Sequence, residues 1–142
     1  MKTTRRIPLQ RAQKSATRSG QHAPLIDRGY LDEISGGSGS FCNAMLHNFE
    51  SRGYRFLNKA GQMLMREQTA EAAKLADQMK PTAAFIGVRQ YEEALANFST
   101  ALSSGQVELA GKVIRRLTRM TRQIETELTE YVQDNLQSMG WA

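Results

Sequence analysis

Cysteine, histidine and aromatic residues are scarce in this chain, and each scarcity closes off a class of function. The single cysteine among 142 residues, Cys42, rules out an intrachain disulfide. Two histidines, His22 and His47, together with that one thiol cannot furnish a dedicated His/Cys metal centre, so no metal or other cofactor is expected. No phosphate-cradling glycine loop and no Ser/His/Asp set is present, so the chain is expected not to be an enzyme. No apolar run approaches the ~20 residues that a bilayer span requires. The basic first residues are not followed by the apolar stretch of a secretory signal. These absences point to the cytoplasm. Aromatics make up 7% of the chain, and its one tryptophan, Trp141, stands next to the C-terminus.

What is present suits one soluble domain: 40% apolar and 23% charged residues, in a chain long enough to bury a core. The net charge of +5 is unevenly placed. Six of the 19 basic residues (Lys2, Arg5, Arg6, Arg11, Lys14 and Arg18) precede residue 27, where there is no acid, leaving 13 bases against all 14 acids in the remainder. The first segment is rich in Ser, Thr, Gln and Gly and has no apolar period. It reads as a flexible basic arm over residues 1–25, ahead of a helical domain over 26–140. Such an arm can meet the phosphates of nucleic acid or an anionic membrane, but it has no aromatic for base stacking. A helical nucleic-acid-binding protein acting through the arm is therefore one alternative function.

The domain carries helical periodicity throughout. A short helix over 27–35 holds Leu31 and Ile34, and the run Gly36–Ser40 breaks it, with Ser40 as the expected cap of the next helix. From Phe41 to about Glu67, the residues Phe41, Met45, Phe49, Phe56, Ala60 and Met63 share one stripe. After Thr69, a third helix aligns Ala72, Leu75, Met79, Ala83 and Ile86, and Gly87 ends it. Val88, Tyr91, Leu95, Phe98 and Leu102 mark a fourth helix, closed by Ser103-Ser104-Gly105. Ala110, Val113, Leu117, Met120, Ile124, Leu128, Tyr131 and Leu136 mark a long fifth. The expectation is an all-α protein: an antiparallel four-helix bundle preceded by a short helix.

The third helix carries the most informative residues. Its run Ala76-Asp77-Gln78-Met79-Lys80-Pro81-Thr82-Ala83-Ala84-Phe85-Ile86-Gly87 resembles the signature of histidine-containing phosphotransfer (HPt) domains, Ala-His-x-x-Lys-Gly-[Ser/Thr]-Ala-x-x-x-Gly. Ala76, Lys80, Thr82, Ala83 and Gly87 fall in register, and the resemblance extends over roughly residues 26–130, through Leu57–Ala60 before the motif and the two helices after it. Two positions depart from it. Asp77 stands where the family has its phosphoacceptor histidine, and Pro81 where it usually has glycine. A carboxylate has no ring nitrogen to take a phosphoryl group, and an Asp–Asp relay would face like-charge repulsion. Pro81 fills the room beside the acceptor, removes an amide that would bond to the Asp77 carbonyl, and is expected to kink the helix.

Opposite the apolar stripe, Ala70, Ala73, Asp77, Pro81, Ala84 and Val88 form a small-residue, partly apolar face flanked by Lys74 and Lys80. A solvated face is usually longer and more charged, so this one is expected to dock a partner. As the resemblance implies, that partner is a response-regulator receiver domain or a histidine kinase. The chain would then be a non-catalytic adaptor that modulates a two-component phosphorelay. His47 is the other candidate acceptor, which would make the chain an active phosphotransfer protein. It lies about 200° around the second helix from Met45 and lacks the Lys-Gly-Ser/Thr context, so it reads as an ordinary exposed histidine. Cys42 reads as a small structural residue, and the methionines 45, 63, 65, 79 and 120 as core fillers. The bases of the last helix, Lys112 to Arg122, are expected to pair within the helix, as Arg122 with Glu125.

Overall fold

A computed structural model of the protein describes residues 23–138. Most of the expected basic arm, with His22, and the C-terminal residues including Trp141 lie outside the described residues. Among those described, the chain forms five helices and no strand: α1 Arg28–Ser35, α2 Gly39–Met65, α3 Thr69–Ile86, α4 Arg89–Ser103 and α5 Val107–Ser138.

Side chains and glycines set these ends. The Asp27 carboxylate accepts the Tyr30 amide at 3.1 Å and starts α1, and Gly36, at φ 59°, closes it. Ser38 caps α2 through the Phe41 amide at 3.1 Å, two residues earlier than the expected Ser40. Thr69 is the first residue of α3 rather than its cap; Gln68 holds the cap position without a side-chain bond. Gly87 ends α3 at φ 76°, and a Cβ on it would lie 2.5 Å from the Tyr30 ring. Only glycine fits both the left-handed turn and the ring, whose hydroxyl donates to the Phe85 carbonyl at 2.8 Å. Pro81 sits inside α3, and the helix runs on through it to Ile86, although the Asp77 carbonyl loses its amide partner there.

The result is a helical bundle. Helix α2 packs on α3 and α5, α3 on α4, and α4 on α5, while α1 lies against α2. The expected stripes form the core: Phe49, Ala72, Ala83, Tyr91, Leu95, Phe98, Leu117, Ile124 and Leu128 are fully buried. Two edge-to-face ring pairs cross it, Phe49 on Tyr91 with centroids 5.8 Å apart and Phe56 on Phe98 at 6.1 Å. Both members step seven residues between the pairs, so α2 and α4 run in the same direction. Met65 departs from the expectation: it is 86% exposed, because its helix ends there and no element covers it.

The core contains one buried polar node. The Tyr91 hydroxyl and Thr121 Oγ1 are 2.7 Å apart, and Thr121 Oγ1 also donates to the Leu117 carbonyl at 2.8 Å. Thr121 spends its one proton on the Leu117 carbonyl, so the Tyr91 hydroxyl is the donor to Thr121; burial pushes that hydroxyl up to about 12. Gly53 makes room, since a Cβ there would meet Thr121 Cγ2 at 3.3 Å.

The chain entrance is also pinned. Glu127, 5% exposed, accepts the Leu25 and Ile26 amides on Oε1 at 2.8 and 3.0 Å and the Gln123 amide on Oε2 at 2.7 Å. Gln123 donates as well to the Ala23 carbonyl at 2.9 Å. Residues 23–25, read from sequence as the end of the arm, are therefore tied to α5.

The node makes an asymmetric prediction. Thr121→Val leaves the buried tyrosine donor unpaired and should cost about 1–3 kcal/mol, whereas Tyr91→Phe leaves a threonine that still bonds Leu117 and should cost about 0.5–1.5 kcal/mol. In urea unfolding, the double variant should lose less than the sum of the two single losses.

Candidate functional site

The outward face of α3 is mostly where the sequence puts it. Ala70, Lys74, Asp77, Pro81 and Ala84 are exposed, and Ala73 and Lys80 half-buried. Val88 does not belong to it. The chain turns at Gly87, so Val88 becomes the N-cap residue of α4 and is 1% exposed in the core. Extrapolating helical spacing past a left-handed glycine produced that error.

Asp77 is exposed but engaged. Its Oδ1 accepts the Ser99 hydroxyl of α4 at 3.2 Å and pairs with Lys80 Nζ, also at 3.2 Å. Ser99 reaches the Ala73 carbonyl too, at 3.4 Å. The carboxylate is thus drawn toward α4 and its charge matched locally, which leaves Lys74 as the cation of this face not in an ion pair among the described residues. Phe85 lies outside the small-residue stripe that helical spacing picks out. It is 44% exposed, one turn beyond Pro81, with its ring edge-to-face on Phe41 at 6.0 Å. Its i+4 relation to Pro81 was the available signal. It adds an anchored aromatic to a face otherwise built from small side chains.

His47 belongs to a different cluster. It is 68% exposed, and its Nδ1 lies 3.4 Å from Glu50 Oε1. Glu50 in turn hydrogen-bonds Glu125 of α5, whose Oε1 also accepts the Tyr54 hydroxyl at 2.6 Å. The Glu125 bond, followed by burial and the Glu125 charge, holds Glu50 above its ordinary value of 4.5. The bonds from Glu50 and Tyr54 hold Glu125 below it. Burial, then the bond to Glu125, pushes Tyr54 up to about 12. This network joins α2 to α5, whereas Asp77 bonds across to α4, so the two candidate acceptors are not brought together. The expected Arg122–Glu125 pair does not form: Glu125 is taken by partners on α2, and no ion pair among the described residues includes Arg122.

No family model matches this chain, and neither a curated protein nor a solved structure does. Function must therefore be argued from the faces themselves. Cys42 is buried, with its sulfur accepting the Asn135 amide at 3.3 Å, which gives it a packing role. Among the described residues, no three His, Cys, Asp or Glu side chains gather to hold a metal ion, and no helix is long and apolar enough to cross a membrane.

The carboxyl pair gives a pH signature. Glu50 binds its proton more tightly in the folded state, so its contribution is complete below about pH 4.5 and is lost as pH rises through its raised value. Glu125 contributes oppositely, above that value, and loses its share as pH falls. Glu50→Gln keeps a donor toward Glu125 without the second charge. It should stabilise the protein at pH 7 by a few tenths of a kcal/mol, since solvent screens the pair, and be neutral near pH 4. Thermal unfolding at the two pH values checks this.

Proposed function

We propose that the protein is a non-catalytic, HPt-like signalling adaptor of the cytoplasm, which binds a receiver domain or a histidine kinase through the α3 face and so biases a two-component phosphorelay. The observation that carries the reading is the division of labour within the signature. Four of its five matching positions are structural: Ala76 and Ala83 are fully buried, Thr82 is 8% exposed, and Gly87 supplies the left-handed cap against Tyr30, while the fifth, Lys80, lies on the face and pairs with Asp77. Its departures, Asp77 and Pro81, both lie on the exposed side. The neighbour order of α2 to α5 and the parallel run of α2 and α4 are consistent with an up-down-up-down four-helix bundle of HPt type.

In this reading Asp77 is a positioning residue. Bonded to Ser99 and Lys80, it fixes the face and offers no nucleophile. Pro81, Ala84 and Phe85 provide apolar contact, and Lys74 meets acidic groups around the partner's phosphoacceptor aspartate. Occupying that surface without accepting phosphate withholds the partner from a competent phosphotransfer protein.

One contact favours a second reading, an active phosphotransfer protein. Glu50 orients His47 through Nδ1, which would direct Nε2 to solvent as a nucleophile.

Incubation with phosphorylated receiver domains, with calorimetric titration alongside, separates the two. The adaptor should bind a receiver and acquire no acid-labile phosphate, and Ala84→Trp should weaken binding about tenfold or more. Acid-labile phosphate that disappears in His47→Ala would establish the second reading instead.

A further inference from the structure

The packing of α2 on α3 leaves a groove with a cationic lining. Arg52, Arg55 and Lys59 stand at i, i+3 and i+7 on α2, so they share one side of that helix over about 10 Å. With Gln78 of α3 they line a groove of about 200 Å³. Its apolar lining is Phe56, Leu75 and Met79. Phe56 and Met79 belong to the core, at 5% and 4% exposure, and Leu75 is half-buried, so this floor is held by the bundle itself. No carboxylate lines the groove. Among the described residues none of its three cations is in an ion pair; the three pairs fall on Arg28, His47 and Lys80. Arg52 has one neutral contact, its Nε donating to Asn48 Oδ1 at 3.0 Å.

We infer that this α2–α3 groove binds a small organic phosphate monoester, with the phosphate on Arg52, Arg55 and Lys59 and the apolar body against Leu75 and Met79. Charge selects the anion. Three cations with no acid among them match a phosphate, which carries about −1.5 to −2 at pH 7, better than a lone carboxylate. Geometry agrees, because each arginine fork pairs bidentately with phosphate oxygens and the lysine adds a point charge. The Gln78 amide can donate to a further oxygen. Size selects the rest of the ligand. A groove of about 200 Å³ lies below the ~300–1,000 Å³ of sites that take drug-sized molecules, which excludes a nucleotide. Free inorganic phosphate would leave the apolar floor uncovered, so the ligand carries an apolar body.

The groove lies to one side of the proposed receiver-docking face. Gln78 follows Asp77 in sequence, but a helix turns about 100° per residue, and the two side chains serve different neighbours. Asp77 bonds Ser99 of α4, whereas Gln78 lines the groove against α2. The inference therefore does not rest on receiver binding, and either can fail without the other.

Titration of the full-length, ¹⁵N-labelled protein with phenyl phosphate, followed by amide NMR shifts at constant ionic strength, tests it. Saturable shifts should appear at residues 52–59 and 75–79 and at the Gln78 side chain, with a Kd of about 1 mM or tighter. Inorganic phosphate, without the ring, and benzoate, with a single charge, should each bind at least about fivefold more weakly. Affinity should fall as pH drops through about 6, where the phosphate takes up its second proton. Arg55→Gln with Lys59→Gln, its helicity verified by circular dichroism, should weaken binding at least about tenfold, and Arg116→Gln on α5 should leave it unchanged. Should the double variant fail to fold, Arg55→Lys, which keeps the charge and loses the fork, should still weaken binding about threefold. Absence of saturable shifts at about ten times that Kd overturns the inference. So do shifts confined to other residues, wild-type affinity in the folded double variant, or inorganic phosphate or benzoate binding as tightly as phenyl phosphate.

Discussion

The arrangement of this bundle depends on one buried hydroxyl. Tyr91 brings a polar atom into an otherwise apolar interior, and leaving such a donor unpaired costs a sizeable part of a small domain's stability. Thr121 satisfies it, which fixes the rotation of α5 against α4. A side chain opposite would crowd Thr121, since a Cβ at position 53 would meet its Cγ2 at 3.3 Å, and Gly53 on α2 leaves that space. Phe49, stacked edge-on against the Tyr91 ring, closes the circle. Three helices are thereby set in register by geometry that a purely hydrophobic core would leave free to slide. A glycine in the middle of a long helix, locally unfavourable, makes sense only through this contact.

Most of the core was legible in the sequence because helical periodicity reports burial, although Phe41, Met63, Leu75 and Val113 of the expected stripes are only partly buried. What depends on partners distant in sequence was not legible. Glu125 looked committed to Arg122 three residues away, yet it bonds Tyr54 and Glu50 on another helix. Gly53 looked like a weak point in α2. Val88 was carried onto the α3 face because periodicity has no knowledge of a turn. The face around Asp77 was legible as a composition anomaly, small residues where long charged ones are usual. Its internal bonding, through Ser99, was hidden, because nothing local ties position 77 to position 99.

Net charge misled in a related way. The sum over residues 27–142 is close to zero, which suggests a neutral body. Folding distributes the charges unevenly: the cations Arg52, Arg55 and Lys59 of α2 line a groove against α3. A near-zero total is compatible with a strong local field, and only the neighbour relations of the helices reveal which of the two holds.

The clamp at Glu127 has a mechanical consequence. The carboxylate grips the main-chain amides of Leu25 and Ile26, not their side chains, and Gln123 holds the carbonyl just before them. Tension applied through the N-terminal segment is therefore delivered to the middle of the longest helix and not to α1, the shortest and least attached. A tethered N-terminus can be pulled without peeling the bundle from its first helix.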